Sequence, residues 1–224
     1  MTADVRSILD LMHRDWGLRE FYLTGVSFGG NLLLKFLVES AEEPVEGLLG
    51  AAALSAAIDF NRVTFREGLS WGYERYFLAK LKRKMERKVR LSPGGAELAP
   101  YVAKFDRVKT LRDFDTLITA PLNGYDSAEH YYTEASAADA LDRIAVPTLL
   151  VHAEDDPFVP FAMYRERMAR IRSNPMILPV FPATGGHVGF YADAGVPRPQ
   201  PWMDERWSEN AAIAFLASLE ADRA

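Results

Sequence analysis

One serine of this 224-residue chain sits where its neighbours could turn it into a nucleophile. Gly25-Val26-Ser27-Phe28-Gly29-Gly30 follows the apolar run Phe21–Thr24 and opens the apolar stretch Gly29–Glu39. That is the G-x-S-x-G pattern of a nucleophile elbow at a strand-to-helix turn. The chain must reverse sharply there with the serine in a strained backbone position, and a side chain at either flanking glycine would crowd the turn. The hydroxyl would stand at the carboxyl edge of a sheet, where a helix N-terminus favours the negative charge of acyl transfer. The backbone N–H of Phe28 is the expected oxyanion donor. The competing readings are a plain glycine-rich turn or a phosphate-binding loop. The segment lacks the Lys-Ser/Thr pair of a P-loop and the G-x-G-x-x-G spacing of a dinucleotide site.

A serine hydroxyl needs a base, and the chain has four histidines. His13 lies in an amphipathic N-terminal segment, His130 sits among tyrosines in SAEHYYTEAS, and His152 reads as part of a strand close to the expected acid. His187 occupies Gly185-Gly186-His187-Val188-Gly189, a glycine-flanked loop after the last predicted strand, and is the expected base. The orienting acid should follow the carboxyl end of a strand. His152-Ala153-Glu154-Asp155-Asp156-Pro157 offers three acids, of which Asp156 is preferred over Asp155 by motif position. Pro157 biases Asp156 towards extended backbone, which suits a residue turning out of a strand. The chain order is then Ser, Asp, His. The chemistry is acyl transfer from an ester: His187 takes the Ser27 proton, an acyl-enzyme forms, and activated water releases it. It calls for no metal and no organic cofactor.

The elements that must hold these residues alternate. Residues 3–15 read as a helix with Val5, Ile8, Leu9 and Met12 on one face; 21–24 as a strand; 29–39 as a helix buried nearly all round. Gly47–Ala57, Pro147–Ala153 and Ile177–Phe181 hold further strands, and Glu205–Leu219 is a closing helix with Trp207, Ala211, Phe215 and Leu219 aligned. This alternation predicts an α/β fold with a mostly parallel sheet flanked by helices. About ninety residues separate the second and third strands, far more than a crossover needs. The expected organisation is therefore a core of residues 1–58 and 141–224 with a helical cap insertion at 59–140. Within it, Ala79–Arg90 carries Lys80, Lys82, Arg83, Lys84, Arg87, Lys88 and Arg90 against Glu86. Such a run reads as a solvated helix face, or as a patch for anionic lipid or acidic substrate, and so as a candidate peripheral membrane contact.

Composition narrows the classes. A net charge of −5 argues against a general nucleic-acid binder, and the absence of cysteine excludes disulfides, thiolate catalysis and Cys-based zinc sites. The longest apolar stretch, Leu48–Ile58, is too short to span a bilayer. MTADVRSILDLMHRD lacks the apolar core of a signal peptide, and a cytoplasmic location is expected.

GVSFGGNLLLKFL, KTLRDFDTLITAPLNGYDSAEHYYTEAS, PTLLVHAEDDPFVP and GGHVGF together resemble the YheT-like branch of the α/β-hydrolases over about residues 18–215. The resemblance implies the α/β-hydrolase fold and an intracellular esterase, with lipid-like acyl esters as plausible substrates because related animal proteins are membrane-associated lipid esterases. It also implies the triad Ser27, Asp156 and His187. In such proteins several strands and a His-Gly loop precede the helix with which this chain begins. On the size of such units, about a hundred residues would be absent, and with them the loop that donates a second oxyanion N–H. The expectation is an N-terminally truncated version of the fold: a misplaced start, a fragment or a short gene product. Phe21–Thr24 would then be left as an open parallel edge. Two other functions stay open at this point, an acyltransferase using the same triad and a catalytically impaired fragment or non-catalytic binding module.

Overall fold

A computed structural model describes residues 2–63, 70–193, 195, 200 and 203–221. Among the described residues four strands form the sheet: β1 (Phe21–Val26), β2 (Leu48–Leu54), β3 (Thr148–Val151) and β4 (Ile177–Val180). Their spatial order is β1-β2-β3-β4 and every pairing is parallel, so all four carboxyl ends lie along one rim. Among the described residues β1 pairs on one side alone, with β2.

The strands are apolar because both faces are covered. Side chains alternate between the faces with the period of two that a strand imposes. Ala51, Ala53 and Leu150 join one cluster with Leu33, Leu34, Phe36 and Leu37 of the helix α2 (Phe28–Ser40). Ala52, Leu54, Leu149 and Val151 join the other, against Trp207, Ala211, Ala212, Phe215 and Leu216 of the closing helix Trp207–Ala221. The helix α1 (Thr2–Trp16) lays Leu9, Val5 and Met12 on the first cluster. Ile8 does not join that face and is 58% exposed. The third strand is shorter than its sequence suggested: β3 ends at Val151, and His152 begins the loop beyond it.

The chain divides into two compact units, residues 1–63 with 135–224 and residues 64–134. The divisions fall at 63/64 and 134/135, a few residues inside the 59–140 span read from loop length. Side-chain bonds tie both flanks to the sheet-bearing unit. The Asn31 amide donates to the Ala135 carbonyl (2.7 Å) and accepts from the Ala137 N–H (3.0 Å), and the Phe60 N–H donates to Ser136 Oγ (3.0 Å).

The second unit has its own core of Leu78, Met85, Val108, Phe114 and Ile118. Its main element is the helix α3 (Ser70–Leu91). The short helix Leu111–Phe114 starts in a capping box between Thr110 and Asp113 and runs into a π-helical stretch, Asp115–Thr119. Tyr132 donates its hydroxyl to the Asp115 carboxylate at 2.7 Å. Burial pushes the Asp115 carboxyl up, and the Tyr132 hydroxyl is raised by burial and by the Asp115 charge beside it.

Candidate active site

The serine-bearing turn closes at the carboxyl end of β1. Ser27 has φ 56° and ψ −120°, a conformation that side-chain-bearing residues rarely adopt, and it immediately precedes α2. Its N–H donates to the Leu54 carbonyl at 2.8 Å, which anchors the turn to the end of β2. The glycines matter unequally. A Cβ on Gly25 would lie 2.4 Å from the Gly29 carbonyl oxygen, so only hydrogen fits. A Cβ on Gly29 would meet nothing within 4 Å, which corrects the expectation that both flanking glycines are sterically required. The second tight position is Gly30, where a Cβ would come within 2.9 Å of the Ala56 Cβ. The first turn of α2 thus packs directly on the strand-following loop after β2. Phe28 is the first residue of α2, so its N–H lies among the first-turn donors that have no partner within a helix.

His187 arrives from the loop after β4. Its Nε2 lies 2.8 Å from Ser27 Oγ, and its Nδ1 lies 2.7 Å from Asp156 Oδ2. The structure therefore brings Ser27, His187 and Asp156 into one hydrogen-bonded line across 160 residues of sequence separation. The imidazole side chain is 15% exposed and that of Asp156 is fully buried, so the line runs from a solvent-reachable nucleophile position into the interior. The Phe158 ring packs perpendicular to the His187 imidazole, with 5.2 Å between centroids. Gly186, at φ 61°, allows the sharp turn that delivers the histidine.

The two neighbouring aspartates have separate tasks. Asp156 Oδ1 accepts from the Phe158 N–H (2.8 Å) and the Val159 N–H (3.0 Å), which leaves Oδ2 for His187. Asp155 Oδ1 accepts from the Gly186 N–H at 2.8 Å and so ties down the loop that carries His187.

His152 lies behind this line, fully buried. Its Nε2 bonds the Val159 carbonyl at 2.9 Å; a carbonyl only accepts, so Nε2 carries the hydrogen. Its Nδ1 has no hydrogen-bond partner and stands 3.9 Å from Asp156 Oδ2. The ring stacks on Tyr164 at 4.2 Å. Burial pushes the His152 imidazole down to about 4, against the opposing pull of the Asp156 carboxylate. A neutral imidazole offers no donor at Nδ1, so His152 does not compete with His187 for Oδ2. Tyr164 donates its hydroxyl to the Ala56 carbonyl at 2.5 Å, linking this layer to the residue that packs on Gly30.

Sequence reasoning missed Gly30, Asn31, His152 and Tyr164. Asn31 carried a signal, a polar residue within an apolar helix; the tasks of the other three depend on contacts that sequence spacing does not encode. The remaining histidines are elsewhere. His13 contacts Arg19 on the surface, and His130 packs edge-on against Tyr125. Among the described residues no group of three or more His, Asp or Glu could hold a metal ion.

The family described as the alpha/beta hydrolase fold matches residues 2–194. The chain belongs to the alpha/beta hydrolase fold family. Within it the chain is YheT-like: it is 34% identical over 208 residues to YheT of Escherichia coli (strain K12), covering 92% of this chain and 58% of that protein. It is 30% identical to a monoacylglycerol lipase of Saccharomyces cerevisiae, over 86% of this chain and 43% of that one. It is 29% identical to phospholipase ABHD3 of Mus musculus, over 91% and 48%. The chain thus spans about half the length of the curated relatives it matches. A solved 2,6-dihydroxy-pseudo-oxynicotine hydrolase shares the fold with TM-score 0.51 at 19% identity, over 99% of this chain and 47% of that one.

Proposed function

We propose that this chain is a serine hydrolase that cleaves carboxylic esters, and that its substrates are lipid-like acyl esters. One observation carries the chemistry: the His187 imidazole bridges Ser27 Oγ at 2.8 Å and Asp156 Oδ2 at 2.7 Å. Those distances suit a general base and its orienting acid. The substrate class rests on the names of the relatives, a monoacylglycerol lipase and a phospholipase among them. In this reading residues 64–134 are the inserted cap of the fold.

The steps follow from the geometry. Ser27 Oγ attacks the ester carbonyl carbon as its proton passes to His187 Nε2. The Phe28 N–H donates to the resulting oxyanion at the positive end of α2. The tetrahedral adduct collapses, and the departing alcohol takes the proton from Nε2. Water then attacks the acyl-serine, losing a proton to Nε2; collapse returns that proton to Ser27 Oγ and releases the carboxylic acid. Throughout, Asp156 fixes the tautomer with Nδ1–H and stabilises the imidazolium. Oδ1 stays committed to two backbone N–H groups, so the carboxylate cannot swing away.

Hydrolysis of p-nitrophenyl esters of graded chain length tests this reading. The wild-type chain should release nitrophenol, and Ser27→Ala and His187→Ala should fall to the uncatalysed background while keeping the wild-type circular dichroism spectrum. Turnover undiminished in folded Ser27→Ala would rule the mechanism out.

A further inference from the structure

The basic run of the inserted unit is sorted by the structure into two populations. Leu78, Lys82 and Met85 of α3 face the core of their unit, where the Lys82 ammonium donates to the carbonyls of Phe105 and Val108, both at 2.8 Å. Lys82 is therefore a structural cation and leaves the solvated face that the sequence assigned to it. Lys80, Arg83, Lys84, Arg87, Lys88 and Arg90 are exposed. Among the described residues no ion pair or side-chain hydrogen bond takes up Arg83, Lys84, Arg87, Lys88 or Arg90, and Lys80 sits over the Tyr76 ring at 5.2 Å.

Steps of three and four residues join these cations into one stripe, and like charges at that spacing repel. The concentration is local, since the chain as a whole carries −5. The same exposed side of α3 holds Tyr76 (55% exposed), with Leu81 flanking it, and ends at Leu91 (69%). Cations between an aromatic and an aliphatic anchor suit the interface of a membrane with negative lipid headgroups. Lys and Arg stems lie on the surface with their charges at the phosphates, while tyrosine and leucine enter the headgroup boundary. A nucleic acid would satisfy the cations but leave Leu81 and Leu91 in water.

We propose that the exposed face of α3 docks this protein on an anionic phospholipid bilayer, with Lys80, Arg83, Lys84, Arg87, Lys88 and Arg90 as the electrostatic contacts and Tyr76 and Leu91 as interfacial anchors. This goes beyond the catalytic reading and does not depend on it.

Co-sedimentation with vesicles tests the proposal without any activity readout. Vesicles of phosphatidylcholine with about a third phosphatidylglycerol should bind the chain about tenfold or more tightly than pure phosphatidylcholine, and about 0.5 M NaCl should remove the difference. The variant Arg83→Glu, Lys84→Glu, Arg87→Glu should lose that advantage while keeping the wild-type circular dichroism spectrum. Tyr76→Ser with Leu91→Ser should bind several-fold more weakly with the same salt dependence. Equal affinity for both vesicle types, no binding to either, undiminished binding by the charge-reversed variant, or equal affinity for a single-stranded oligonucleotide would each overturn it.

Discussion

At the residue scale, Asp155 and Asp156 differ in what they hold rather than in chemistry. Asp156 meets His187 Nδ1, whereas Asp155 meets a backbone N–H one residue before that histidine. Asp156→Asn keeps the shape but removes the negative charge and can stabilise the wrong imidazole tautomer, so kcat should fall by about 10⁴. Asp155→Asn retains an oxygen that can accept from Gly186, and its kcat should stay within about tenfold of wild type, since a net hydrogen bond is worth about 1 kcal/mol. Ester-hydrolysis kinetics on the two variants decides the matter; a larger loss in Asp155→Asn would contradict the assignment. Ser27 and His187 stood out in sequence because glycines flank both, although only some of these, Gly25 and Gly186 among them, sit where the backbone requires glycine. It could rank the two aspartates only by motif position, since adjacent carboxylates share a loop and only the fold says which one turns inward. His152 looked like a strand residue because the apolar run continues through Ala153. Its task emerges only from the carbonyl of Val159 and the ring of Tyr164, neither of which a periodicity can place.

At the element scale, the elbow depends on how closely the start of α2 packs on the loop after β2. Gly30→Ala would press a methyl group to within 2.9 Å of the Ala56 side chain, which is itself fixed beneath the Tyr164 hydroxyl bond. The expected cost is about 1–3 kcal/mol of stability, the usual range for overpacking. Gly29→Ala meets open space and should leave the unfolding free energy within about 0.5 kcal/mol of wild type. Urea denaturation of the two variants checks the contrast; equal losses would mean that the close approach at Gly30 is not what holds the turn. Most element positions were readable from sequence. β2 and β3 are nearly unbroken apolar runs because a parallel sheet is covered on both faces, and α2 announces itself by apolar residues all round. Ends were less legible. The carboxyl end of β3 is set by where pairing with β4 stops, at Val151–Val180, and no local residue signals it.

At the scale of the whole molecule, a neutral buried imidazole beneath the active site makes stability depend on pH. His152 titrates near 4 in the folded chain against about 6.5 when exposed, so the unfolded state binds its proton first as pH falls. The folded state then loses stability progressively as pH falls from about 6.5 to about 4, with the loss complete below the lower value. His152→Gln keeps a donor for the Val159 carbonyl and removes the titration, so its unfolding free energy should vary less over that window. A variant with the wild-type slope would show that another group governs the acid limb. The two units carry separate cores, and the second, residues 64–134, falls within the long stretch between β2 and β3. The side-chain ties of Asn31 and Ser136, which hold the flanks of that stretch to the sheet-bearing unit, were not visible in sequence.

If Ser27 is the nucleophile, a reagent that traps activated serines should mark it covalently. The chain should be treated with a fluorophosphonate probe, its intact mass measured, and the adduct located by peptide mapping. One adduct is expected, on Ser27, and none on Ser27→Ala. An adduct on a different residue, or none on a folded wild-type chain, would contradict it.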